Sequence, residues 1–313
     1  MQIEADDIAR VRSSTLIGLH RDAQTLPLIS NKIKAQVAGG FLSSFRGRGM
    51  EFDESRLYQP GDDIRSIDWR VTARSGRTHT KIYREERERP VLLWLDLSRS
   101  MFFGSRNCFK AVLAAKLTAL FAWSSVQQGD RLGGLIYSEH DHVEFRPMSG
   151  RRSCLHLIQK ITSHPAWDQT PHQGENPTAS VQALNRLRQV SKPGSLIILF
   201  SDFRFMNQES RFHLARMAQH NDVILIFTHD PLEQALPPAG QYRLTDGVRQ
   251  LWFDSSSQRA RQQYEDRFSE QFSKLEELAL QHRLHLIDVS TADDWLNKVR
   301  SGLGLRSHKS RAG

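Results

Sequence analysis

The sequence predicts an α/β fold, a doubly wound, mostly parallel sheet of the Rossmann type behind an N-terminal extension. Three observations carry that expectation. Val91–Leu97 is an almost unbroken apolar run holding one carboxylate, Asp96, as suits a strand buried on both faces. Ser195–Ser201, SLIILFS, is a second such run. From residue 90 onward, strand-like runs alternate with helical stretches, the pattern of a sheet covered on both sides.

Residues 1–45 read as a helical lead-in. Ala5–Arg12 and Lys32–Phe45 have loosely helical spacing, the second weakened by Gly39-Gly40. Gly47, Gly49 and Pro60-Gly61 then break residues 46–90 into turns. Asp62 or Asp63 is placed to cap a short helix over Ile64–Arg70, and Thr78–Glu86 alternates as a strand does. Arg56, Arg65, Arg70 and Arg74 are of the right type to pair with Asp62, Asp63 and Asp68. Beyond residue 90, strand 91–97 is followed by an apolar helix, 109–127, and Gly129-Asp130 turns the chain into strand 131–138. His142–Pro147 is expected as an antiparallel edge strand and Arg151–Thr162 as a helix. A polar loop with Pro165, Pro171, Gly174 and Pro177 leads to helix 178–190 and strand 195–201. Helix 208–220 and strand 222–228 follow, then a hairpin, 242–245 with 249–253, around Asp246-Gly247. Helix 258–282, strand 284–288 and helix 293–301 close the fold.

Composition narrows the class. At 313 residues, 39% apolar and 25% charged, the chain is long enough for one large domain with an extension and has the material for a core. Cys108 and Cys154 stand far apart and outside any C-x-x-C or Cys/His cluster, which argues against a zinc site or a disulfide framework and fits a cytoplasmic setting. No run approaches the about 20 apolar residues of a membrane span. MQIEADDIARVR lacks the apolar centre of a secretory signal. Net charge is +8, spread over mixed-sign stretches except in a basic tail with Lys298, Arg300, Arg306, Lys309 and Arg311. A basic stripe with aromatic platforms is not evident, because Trp94 and Trp123 fall within apolar runs, so nucleic acid is not the expected partner.

The chemistry gathers at strand ends. Asp96, Ser98 and Ser100 form D-x-S-x-S where the first apolar strand stops. A carboxylate and two hydroxyls there offer hard oxygen ligands to a small divalent cation such as magnesium, on the edge where open α/β sheets bind ligands. Ser98 or Ser100 equally suits a helix cap. Thr178, opening a helix, and Ser201-Asp202, closing the second apolar strand, fall on the same edge. No P-loop, G-x-S-x-G or H-E-x-x-H occurs, and nothing in the sequence ties His140 or His142 to Asp96. No catalytic residue is assigned, and the chain is not expected to be an enzyme.

This constellation resembles the von Willebrand factor A-type domain and its metal-ion-dependent adhesion site. The resemblance implies metal ligation by Asp96, Ser98, Ser100, Thr178 and Asp202, directly or through water, with Mg as the ion and Mn as a substitute. The family commonly has Gly after the last Asp, where this chain has Phe203. The run ESRLYQPGDDIRSIDWRVTAR, with Lys81, Glu86-Arg87, LDLSRSM, GDRLGGLIYS and PMSGRRSCLHLI, resembles the bacterial and archaeal domain-of-unknown-function 58 family. Its signature residues here are Arg56, Tyr58, Gly61, Asp62, Asp63, Arg65, Asp68, Trp69, Arg70 and Arg74. The expected organisation is an extension over 1–89, a von Willebrand factor A-like domain over 90–303 and a basic, disordered tail over 304–313. The resemblance implies a cytoplasmic adaptor or assembly factor working with a MoxR-type AAA+ ATPase and capturing an acidic side chain through the metal. A sharper form of this expectation has Asp62, Asp63, Asp68, Glu85 or Glu86 filling the metal's open position in cis. The alternative is a metal-dependent hydrolase or nuclease built on the Asp-rich 51–86 segment, with Asp62, Asp68, Lys81 and Glu85 as candidates.

Overall fold

The computed structural model describes residues 7–26, 50–59, 66–85, 89–168, 176, 178–245 and 250–305. The chain divides into two compact units, residues 42–88 and the remainder, so the described lead-in residues 7–26 belong with the large unit.

The large unit is a six-stranded sheet flanked by helices. Its strands are β3 (Pro90–Asp96), β4 (Arg131–Tyr137), β5 (His142–Met148), β6 (Leu196–Ser201), β7 (Asp222–His229) and β10 (His285–Ser290). They lie in the order β10-β7-β6-β3-β4-β5, all parallel except the edge strand β5, which runs antiparallel to β4. This is the doubly wound, mostly parallel sheet the sequence predicts.

The period of 2 along β3 sends its side chains to two different cores. Val91, Leu93 and Leu95 join the cluster under α4 (Lys110–Gln127), with α5 (Arg151–Thr162) and the lead-in helices α1 (Ser13–Gly18) and α2 (His20–Ala23). Leu92 and Trp94 join the opposite cluster, under α6 (Ala179–Val190), α7 (Gln208–Ala218) and α9 (Gln258–His282). Helix α4 is buried from Lys110 to Ser125, because the sheet covers one side and the lead-in and α5 cover the other. A helix covered all round carries an apolar sequence all round, as this one does. Glycine is needed at residue 134, since a Cβ there would lie 2.1 Å from the Leu93 carbonyl oxygen of the adjoining strand. A separate hairpin, β8 (Gln241–Thr245) with β9 (Gln250–Asp254), and α10 (Trp295–Gly302) complete the unit, while the predicted Asp246-Gly247 turn lies outside the described residues.

Ala5–Arg12 is not a helix in its described part. Asp7 Oδ1 accepts from the Arg12 backbone N–H and from its guanidinium, both at 3.2 Å, so the side chain takes the backbone donor and the helix starts only at Ser13. Lys32–Phe45 and most of the tail, 306–313, lie outside the described residues.

The small unit pairs β1 (Met50–Leu57) antiparallel with β2 (His79–Glu85) around α3 (Trp69–Ser75). Trp69–Ser75 forms a helix capped by Asp68, while Ile64, Arg65 and the predicted caps Asp62 and Asp63 lie outside the described residues. Asp68 Oδ1 accepts from the Arg70 and Val71 N–H groups at 3.1 and 3.2 Å, and Oδ2 accepts from the Ser55 hydroxyl at 3.0 Å. Gly76 closes the helix at φ +69°. Tyr58 N–H donates to the Thr78 carbonyl at 2.8 Å, and Trp69 is 68% exposed. Gly61, Asp62, Asp63, Arg65 and Glu86 lie outside the described residues. No helix among the described residues is long and apolar enough to cross a membrane.

Candidate functional site

β3 is the strand at which the sheet changes direction, since β4 lies on one side and β6 on the other. The crevice at the carboxyl end of such a pair is where doubly wound sheets hold ligands. Asp96 ends β3 and is fully buried, while Asp202 directly follows β6. The Ser98 N–H donates to Asp96 Oδ1 at 2.8 Å, so Asp96 fixes the turn carrying both serines, whose Oγ atoms are 3.4 Å apart. On the neighbouring strand, the Ser201 hydroxyl donates to Asp96 Oδ2 at 2.5 Å and accepts from the Phe203 N–H at 2.9 Å. Ser100 stands close enough to Asp202 to help lower its pKa. The structure thus brings Asp96, Ser98, Ser100 and Asp202 together at this edge.

Phe203 occupies the position at which glycine would be unstrained. Its φ is +51°, a left-handed value that is unfavourable for a bulky side chain, and its phenyl ring is buried with Leu214, Phe227 and Leu275. The packing of that ring holds a turn that its own backbone preference opposes.

Thr178 does not join the cluster. Exposed at the start of α6, it donates its hydroxyl to Asn176 Oδ1 at 2.8 Å. No hydrogen bond links it to Asp96, Ser98, Ser100 or Asp202 among the described residues. Its loop is nevertheless tied to the serine turn through Glu139, whose carbonyl accepts from Asn176 Nδ2 at 3.2 Å and whose carboxylate accepts from the Arg99 N–H at 2.7 Å.

The two carboxylates have different electrostatics. Burial, then the charge of Asp202, raises Asp96 from the usual 3.8 to about 6, against hydrogen bonds from Ser201 and Ser98 that pull it down. Asp202 is also buried, which would raise it, but the ammonium of Lys110 outweighs burial, assisted by Arg204 and Ser100, and its pKa is lowered. Lys110 is fully buried at the start of α4, with Nζ 2.7 Å from Asp202 Oδ2 and 2.6 Å from Glu233 Oε1. Glu233 is held in a capping box on α8 (Pro231–Gln234) and also accepts from Arg204 at 2.6 Å. The Tyr137 hydroxyl donates to Ser180 at 3.2 Å, and burial, then the Asp96 charge, raises its pKa.

Sequence reading missed Lys110, Ser201 as a partner of Asp96, Glu233 and Arg204. One signal was legible for Glu233: Asp230-Pro231-Leu232-Glu233 spells a capping box with proline at its first helical position. Lys110 offered only a charge at the head of an apolar helix.

The donor set suits a small hard dication. It is all oxygen, two hydroxyls lie side by side, and the two buried carboxylates repel each other, as the raised Asp96 pKa records. Asp96, Ser98, Ser100 and Asp202 carry oxygen donors of the type such an ion takes, and Thr178 would have to turn from Asn176 to take part. Among the described residues no group of three or more His, Cys, Asp or Glu is placed to hold a metal.

Fold and edge together define a doubly wound α/β domain with an oxygen-rich polar cluster at its switch point. The chain belongs to the protein family of unknown function DUF58, whose model matches residues 54–274. The uncharacterized proteins Rv1480 of Mycobacterium tuberculosis and Mb1516 of Mycobacterium bovis are each 32% identical over 224 residues, 71% of this chain and 69% of theirs. Among solved structures, the conserved hypothetical protein BatB from Bacteroides thetaiotaomicron is 14% identical with a TM-score of 0.45, covering 69% of this chain and 97% of that one. An aerotolerance-related membrane protein from Bacteroides fragilis is 15% identical with a TM-score of 0.37, covering 61% and 98%.

Proposed function

We propose that this protein is a metal-dependent protein-interaction module of the von Willebrand factor A type, and that it acts by binding rather than by catalysis. The observation that supports this reading is the gathering of Asp96, Ser98, Ser100 and Asp202 at the switch point of the sheet. Magnesium or manganese bound there would supply an electrophilic centre with a coordination position open to a partner's carboxylate. The chain's own residues set up that site. Asp96 orients the serine turn, the Ser98 and Ser100 hydroxyls present oxygen without adding charge, and Asp202 closes the far side. The partner is a protein presenting an acidic side chain; a MoxR-type AAA+ ATPase is the proposed one, on the strength of the family resemblance. The hydrolase or nuclease alternative is weakened because Asp68, its best-placed described carboxylate, is engaged as a helix cap.

Calorimetric titration of chelator-stripped protein with magnesium and then manganese, beside Asp96→Ala, tests the reading. Binding by the wild type that the variant loses is the expected result, followed by metal-dependent co-purification of a MoxR-type ATPase. Metal binding that survives Asp96→Ala would overturn it.

A further inference from the structure

We propose that Lys110 is a tethered counter-cation that already neutralises Asp202, lowering the affinity of the switch-point cluster for a divalent ion. The inference rests on the metal-binding reading above and deepens it.

The position of the ammonium is set from three directions. The start of α4 delivers it, fully buried, between the end of β6 and the capping box of α8. It donates to Asp202 Oδ2 at 2.7 Å and to Glu233 Oε1 at 2.6 Å. Glu233 is fixed in turn, because Oε2 accepts from the Asp230 N–H at 3.0 Å. The rest of Asp202 is also engaged: Oδ1 accepts from the Arg204 N–H at 3.2 Å, and the Arg204 guanidinium lies 3.6 Å from Oδ2.

Charges within this group cancel, Lys110 and Arg204 against Asp202 and Glu233. Among the described residues no cation pairs with Asp96. An ion held by the Ser98 and Ser100 hydroxyls would thus meet one uncompensated carboxylate and a buried ammonium just beyond Asp202. Repulsion at that range, in a buried site, is large enough to decide affinity. The arrangement favours an ion that arrives with, or is retained by, a further carboxylate. The partner's acidic side chain then completes the charge balance as well as the coordination shell.

The test is calorimetric titration of wild type, Lys110→Met and Glu233→Gln with manganese chloride, with thermal unfolding of each protein as a check on folding. Lys110→Met keeps the length of the side chain and removes its charge; it should bind manganese tighter by roughly tenfold or more. Glu233→Gln leaves Lys110 to Asp202 alone and should bind more weakly than wild type. Should Lys110→Met fail to fold, the Glu233→Gln result decides. Equal affinities for wild type and the folded variants would overturn the role of Lys110 while leaving the metal site intact. No binding by any of the proteins would overturn both. Binding by Lys110→Met alone would support the inference directly, because a purely structural lysine gives no gain on removal.

Discussion

Asp96 and Asp202 end adjacent strands, β3 and β6, and both are buried. Their surroundings treat the negative charge in opposite ways. Asp96 receives neutral donors, among them the Ser98 N–H and the Ser201 hydroxyl, and its pKa rises to about 6. Asp202 receives an ammonium and a guanidinium, and its pKa falls. Neutral hydrogen bonds orient a carboxylate without removing the cost of burying its charge, whereas a paired cation offsets that cost. The fold has thus left one carboxylate of the pair in need of positive charge and satisfied the other internally.

Removing the internal cation should break this contrast most severely. Lys110→Met leaves Asp202 and Glu233 buried with only the rim guanidinium of Arg204 between them, and stability at pH 7 should drop by about 3–5 kcal/mol. Urea unfolding measures it. A loss below about 1 kcal/mol would mean that water already shares the cluster. If the Asp202 charge is then free to hold an ion, manganese should restore part of the lost stability by linkage.

The Asp96 side of the comparison is read by pH. Folding raises this carboxyl from 3.8 to about 6, so between those values the native state holds a proton that the unfolded state has released. Stability from this group is therefore complete below about pH 4 and declines as pH rises to about 6. Asp96→Asn lacks the titration. Relative to it, wild type should lose on the order of 3 kcal/mol across that window in the absence of metal. Parallel pH profiles for the two proteins would show that Asp96 is ionised in the fold at little cost.

A smaller effect belongs to the hydroxyl that joins the strands. Ser201→Ala removes the donor to Asp96 Oδ2 and the acceptor of the Phe203 N–H. A cost of about 1–2 kcal/mol at pH 7 is expected. The Asp96 titration should move upward, since that hydroxyl is one of the bonds that lower it. An unchanged titration would mean the Ser98 N–H alone orients the carboxylate.

The fold was legible because its signals are local. The apolar runs ending at Leu97 and Ser201 could only be buried strands, and D-x-S-x-S sat where one of them stopped. The antiparallel edge strand His142–Met148 followed from its short alternating pattern. The charge pairing was not legible, because it depends on residues 92 and 123 positions apart in the chain, Lys110 with Asp202 and with Glu233. A lysine opening an apolar helix looks like a solvent-facing end until α8 closes over it. The partner that Thr178 takes was not legible either: Asn176, two residues earlier, accepts its hydroxyl. In the small unit the Asp68 cap was likewise not singled out among three aspartates within seven residues; its side chain accepts from the N–H groups of Arg70 and Val71.

The smallest effect should come from Arg204, and it separates two kinds of positive charge around the same carboxylate. Arg204 touches Asp202 and Glu233, as Lys110 does, but its side chain is 53% exposed. Water screens an ion pair at that position, and ordering the long side chain offsets part of what remains. Arg204→Ala is therefore expected to cost no more than about 1 kcal/mol, far below Lys110→Met. Its Asp202 contact through the backbone N–H survives the substitution, which further limits the loss. A cost comparable to that of Lys110→Met would mean that the two cations act as one unit. The charge balance of Asp202 would then depend on the rim of the site, within reach of any partner, rather than on its buried base.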